Sequence, residues 1–143
     1  MTGIQKIKEY TQVLLGFRIK TIIISKAVGS AAMSGVPQAQ KIIFKKGGNL
    51  LYVEDIPDII ELLNPDIIYV VAPQPYAKHK FEPGMIIQEL KAKKKILLIF
   101  GGSDPGLSKR ELEFGIDIYL EVPADIGTIG TAAIILYQIW KLL

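Results

Sequence analysis

The 143-residue sequence contains no cysteine and a single histidine, His79. Without thiols there is no disulfide framework and no thiolate metal site, and one imidazole has no second to join it in a metal centre. We therefore expect no metal. Arginine is scarce as well: of 17 basic residues only Arg18 and Arg110 are arginine, and the rest are lysine. No apolar run reaches the roughly 18 residues that a membrane helix needs, because Lys, Glu or Asp interrupts each one. The opening MTGIQKIKEY lacks the apolar core of a secretion signal. These absences lead us to expect a cytoplasmic protein without a membrane partner.

What is present is apolar. Half the residues are hydrophobic (50%) and the mean hydropathy is +0.33, which fits a sheet covered on both faces or a buried subunit interface. The length suits one domain spanning 1–143. A formal net charge of +3 is compatible with an RNA partner without requiring one.

Short apolar runs rich in Ile, Val and Tyr recur at 21–25, 50–54, 67–72, 96–100 and 116–122, the last four bounded on one or both sides by Gly, Pro, Asn or Asp. Such runs read as buried parallel strands. Helical spacing fills the intervals. An opening helix carries Ile4, Ile7, Val13 and Leu14, and a second starts at Pro37 and stops at Gly47-Gly48. A third is capped by Asp55. A fourth starts at Pro83 and runs on through the lysines of KAKKK (91–95), which suit a helix C-terminus or could touch phosphate. Ser108, with Glu111 three residues on, forms a capping box closed by Gly115. The closing helix is expected from about Gly130. Strand alternating with helix predicts an α/β fold: a parallel sheet with helices on both faces.

Three loops follow strands, where open α/β sheets bind ligands. They are VAPQPY (71–76), FGGSDPGL (100–107) and EVPADIGTIGT (121–131). Glycines in the second and third let the backbone approach a bound molecule or take positive φ, although a tight turn has the same need. The glycine spacing matches neither the dinucleotide fingerprint nor a phosphate-binding Gly-Lys-Ser/Thr loop. Side chains here are small or neutral, so recognition would rest on main-chain groups. His79, between Lys78 and Lys80, reads as a general base or, more simply, as a solvated turn residue. The small, polar stretch at 27–40 reads as a substrate-facing loop or a long connection.

The segment ILLIFGGSDPGLSKREL followed by GIDIYLEVPADIGTIGTAAIILYQIW resembles the C-terminal half of SPOUT RNA methyltransferases, in particular the SpoU branch. The resemblance implies a C-terminal trefoil (α/β) knot, a homodimer packed through it, and S-adenosyl-L-methionine held by main-chain groups. It also implies an RNA substrate, tRNA or rRNA. Carried over by position, the cofactor-binding residues are Ala72, Pro73, Gly101, Gly102, Gly106, Val122, Pro123, Gly127, Ile129 and Thr131. The branch's opening-helix Asn and Arg fall on Ile4 and Tyr10, and its loop Glu falls on Ser103. Arg18 and Asp104 are the nearest replacements and stand as the candidate catalytic residues. Two other readings fit the same residues: a catalytically silent knotted RNA-binding or regulatory protein that keeps the pocket, and an unknotted flavodoxin-like nucleotide binder.

Overall fold

Helix α1 (Gly3–Gly16) ends because Arg18 turns left-handed, at φ 60°. The Arg18 N–H then donates to the Leu15 carbonyl and the Ile19 N–H reaches back to that of Leu14, both at 3.0 Å. This is a Schellman closure with arginine where glycine is usual. A computed structural model describes residues 3–25, 34–53, 55–101 and 107–143. The chain divides into two compact units, Met1–Leu63 and Asn64–Leu143.

In the first unit α1 is followed by β1 (Thr21–Ser25), α2 (Val36–Lys45), β2 (Asn49–Val53) and α3 (Ile56–Leu63). Strands β1 and β2 pair in parallel, with Thr21 opposite Asn49. Helix α2 has its proline in the first turn, buries Ala39 and Ile43 four residues apart, and closes on Gly47 at φ 78°. The Gly48 N–H then reaches the Ile43 carbonyl at 2.9 Å, the same closure as in α1, here with the residue that adopts it without strain.

The second unit holds β3 (Ile67–Val71), β4 (His79–Lys80), α4 (Pro83–Lys91), β5 (Ile96–Phe100), α5 (Lys109–Leu112), β6 (Ile116–Tyr119) and α6 (Gly127–Leu142). Its sheet runs β4-β6-β3-β5, and every pairing is parallel. Alternation along β3 sends Tyr69 and Val71 to one face, where they meet Ile118, Ile86 and Ile87 of α4, and Ile135 and Ile139 of α6. Each such burial is worth about 1.5–3 kcal/mol. Val70 and Ile99, which alternate to the opposite face, are buried too. A run apolar at every position is thus explained for β3, whose Tyr69, Val70 and Val71 are buried on both faces.

The differences from the sequence expectations have local causes. Strand β6 stops at Tyr119, three residues short of the expected end. Helix α4 stops at Lys91 because Lys93 turns left-handed at φ 62°, so three of the four lysines lie past the helix. Helix α6 starts at Gly127 rather than Gly130, since Asp125 Oδ1 accepts the Gly127 N–H at 2.8 Å. The capping box is as expected: Ser108 Oγ accepts from the Glu111 N–H at 3.1 Å, and Glu111 Oε1 accepts from the Ser108 N–H at 2.9 Å. No helix among the described residues is long and apolar enough to cross a membrane.

Candidate functional site

Parallel pairing brings the carboxyl ends of three strands level, because Val71 faces both Phe100 and Ile118. The three expected loops therefore leave the sheet side by side. Ala72 is tied in by its N–H, which donates to the Ile118 carbonyl at 3.0 Å. Pro73 is exposed, and its carbonyl accepts from Tyr76 at 2.9 Å and Ala77 at 3.2 Å, which curls residues 73–77 into a turn.

Gly101, directly after β5, meets the start of α6: the Thr128 hydroxyl donates to the Gly101 carbonyl. Residues 27 apart in the chain are thereby joined. Gly127 occupies the left-handed region at φ 81°, and its carbonyl accepts the Thr131 hydroxyl at 2.7 Å. Val122 and Ile129 are half-buried, whereas Pro123 is exposed. Gly102, Asp104 and Gly106 lie outside the described residues. Among the described residues, the main chain from 121 to 125 makes no backbone hydrogen bond.

Arg18 belongs to the first unit, at the residue that closes α1 and before β1. Tyr10, which takes the place of the branch's arginine, is half-buried on α1, and burial pushes its phenol up to about 12. It is neutral at ordinary pH and supplies neither cation nor base.

Sequence reasoning missed the edge of the sheet. His79 is not a turn residue but half of the two-residue strand β4, paired with Ile118. Its Nδ1 lies 3.3 Å from Asp117 Oδ1, and the Lys78 N–H donates to Asp117 Oδ2 at 2.7 Å. Partial burial alone would raise the Asp117 pKa, but the Lys78 N–H, its own N–H and His79 together hold it below the usual carboxylate value. Next along, Lys80 Nζ pairs with Glu121 Oε2 at 3.0 Å. A cavity of about 330 Å³ opens there, lined by Lys80, Glu82, Leu120, Glu121 and Gln138 among others. None of Ala72, Pro73, Gly101 or Thr128 lines it, so it flanks the strand-end loops rather than lying between them. The only signal for this edge was His79 itself, because its partner is 38 residues away.

A family model described as RecB-family nuclease (DUF2122) matches residues 29–138. The chain belongs to this family. A candidate type II restriction enzyme of Methanocaldococcus jannaschii is 33% identical over 96% of this chain and 89% of its own length. A second, of Aeropyrum pernix, is 30% identical over 96% of this chain and 86% of its own. Solved structures give a different name to the fold. The SpoU methyltransferase AviRb from Streptomyces viridochromogenes, in complex with the cofactor AdoMet, superposes with TM-score 0.71 at 10% identity, over 97% of this chain and 56% of that one. TrmJ from Z. mobilis superposes with TM-score 0.68 at 12% identity, over 98% and 64%. The fold is that of SpoU-type methyltransferases. The chain spans under two thirds of the length of either structure.

Proposed function

We propose that this chain is a cytoplasmic, S-adenosyl-L-methionine-dependent methyltransferase of RNA, tRNA or rRNA, that works as a knotted homodimer. The observation that carries the reading is the Thr128–Gly101 hydrogen bond. It ties Gly101, directly after β5, to the start of α6, where the resemblance puts the cofactor. The AdoMet complex of the SpoU-type neighbour AviRb supports it by fold. The dimer is supported by α6, which buries Ala132, Ile135, Leu136 and Ile139 and leaves Ile134, Tyr137 and Trp140 exposed at three-residue spacing. That is a second apolar stripe.

When bound, the cofactor supplies an electrophilic methyl group on sulfur. The chain's task is then to hold donor and acceptor in line. Main-chain groups of Gly101 and of 121–125 orient the cofactor, with Ala72, Pro73, Gly102, Gly106, Gly127, Ile129 and Thr131 shaping the walls. Asp104 positions the acceptor or takes its proton. Arg18 holds a phosphate of the RNA through a bidentate contact that lysine cannot reproduce.

The family description favours a nuclease instead. Metal-assisted phosphodiester hydrolysis needs converging carboxylates. Among the described residues no three His, Asp or Glu come together to hold an ion. The test is calorimetry with S-adenosylhomocysteine, together with transfer of labelled methyl from S-adenosylmethionine to bulk RNA. Binding and transfer are expected. Binding without transfer to any RNA would favour the silent knotted protein. No binding, with magnesium-dependent cleavage of duplex DNA, would establish the nuclease.

A further inference from the structure

The net charge of +3 conceals a strong polarity along the chain. Residues 3–53 hold eight Lys or Arg against the single acid Glu9, a formal +7, so the remainder is net acidic. Within the first unit five of the seven described cations lie on α2 or at the edge where the two strands begin. Lys41, Phe44 and Lys45 lie at three- and four-residue spacing on the exposed side of α2, opposite the buried Ala39 and Ile43. The turn after α2 brings Lys46 to the amino end of β2. There the Asn49 N–H donates to the Lys20 carbonyl at 2.7 Å, which sets Lys20 and the preceding Arg18 turn beside it. All five cations are exposed. Neither ion pair among the described residues involves them, for both lie at the β4–β6 edge. Phe44, between Lys41 and Lys45 on α2, has 80% of its surface exposed.

We propose that this edge binds single-stranded nucleic acid, with a base stacked on Phe44 and phosphates on Arg18, Lys20, Lys41, Lys45 and Lys46. Exposed cations with an open aromatic ring on the same helix are what a strand with exposed bases recognises: phosphates are neutralised by the lysines, and any base offers a π face. Duplexes hide their bases and cannot use the ring, so single strands are preferred. The surface lies outside the proposed cofactor loops. It deepens the RNA part of the proposed function without depending on the cofactor.

The experiment is fluorescence anisotropy of labelled single-stranded RNA, single-stranded DNA and duplex DNA, each with the whole chain across a salt series. Phe44→Ala is expected to weaken single-strand binding by roughly tenfold, the loss of one stacked base. The triple change Lys41→Gln, Lys45→Gln, Lys46→Gln should weaken it further and flatten its salt dependence by about three phosphate contacts. The control Lys93→Gln, Lys94→Gln, from the other lysine cluster, should bind like the parent. The two single-strand arms separate RNA from DNA as the source. Phe44→Ala binding like the parent, a control weakened as much as the triple variant, or preference for duplex would each overturn the proposal. So would a change of mass by light scattering on Phe44→Ala with binding intact, since the ring would then cover another copy of the chain. S-adenosylhomocysteine affinity is expected to be unchanged in every variant, so loss of the strand and loss of the cofactor are read separately.

Discussion

The Tyr69 hydroxyl donates to Glu89 Oε1 at 2.6 Å, from the buried face of β3 to the inner side of α4. The other carboxylate oxygen, Oε2, is buried with no partner among the described residues. The tyrosine is thus the group that makes this carboxylate tolerable under the helix. Tyr69→Phe would strip it of that donor, and we expect a loss of about 1–3 kcal/mol in urea unfolding. Glu89→Gln keeps an acceptor for the phenol and should cost less. If the two variants are equally stable, the pair carries no such load.

The same contact sets behaviour in alkali. Burial, then the Glu89 hydrogen bond and its charge, raise the Tyr69 pKa well above the usual tyrosine value. The unfolded chain therefore ionises first. Stability from this group is present in full below about pH 10 and is lost as pH rises towards the folded value. Parent protein should lose stability above pH 10 more steeply than Tyr69→Phe.

Asp117 predicts the opposite edge of the pH range. Its folded pKa lies below the ordinary carboxylate value, so its contribution is present above about pH 4 and fades as pH falls through the folded pKa. The Lys78 N–H, which donates to Asp117 Oδ2, should then exchange faster relative to core amides. Asp117→Asn should abolish that pH dependence at the Lys78 amide.

Gly115 has no room for a side chain. A Cβ there would stand 2.4 Å from the Ile68 carbonyl oxygen and 2.7 Å from its Cγ2. Backbone cannot move aside as a flexible side chain does, so Gly115→Ala should destabilise the second unit by about 2 kcal/mol or more. Gly84→Ala, at an exposed helix position where a Cβ meets nothing within 4 Å, is the comparison and should be neutral or stabilising.

Arg18 occupies a conformation that costs a non-glycine residue about 1 kcal/mol. Arg18→Gly should accordingly raise the melting temperature by several degrees while lowering single-strand affinity. Loss of both, or of neither, would mean that the arginine is not retained at this turn for binding.

The sequence by itself determined the elements whose causes are local. Apolar runs bounded by Gly, Pro and Asn placed five of the six strands, and Ser108 with Glu111 wrote the start of α5 three residues apart. The proline of α2 and the glycines after it bounded that helix in the same way. That the ends of β3, β5 and β6 lie on one side of the sheet followed from parallel order, which alternation of strand and helix already implied. Only the tertiary structure decided the rest. Strand β4 exists because Lys78 and His79 find Asp117 across the sheet, and two residues carry no periodicity to read. The left-handed closures at Arg18 and Lys93 use residues that composition assigns to helix interiors and ends. Thr128 reaches Gly101, and Tyr69 reaches Glu89, across 27 and 20 residues. Hydrogen bonds of that span depend on how elements pack, and packing depends on the whole fold rather than on any window of sequence.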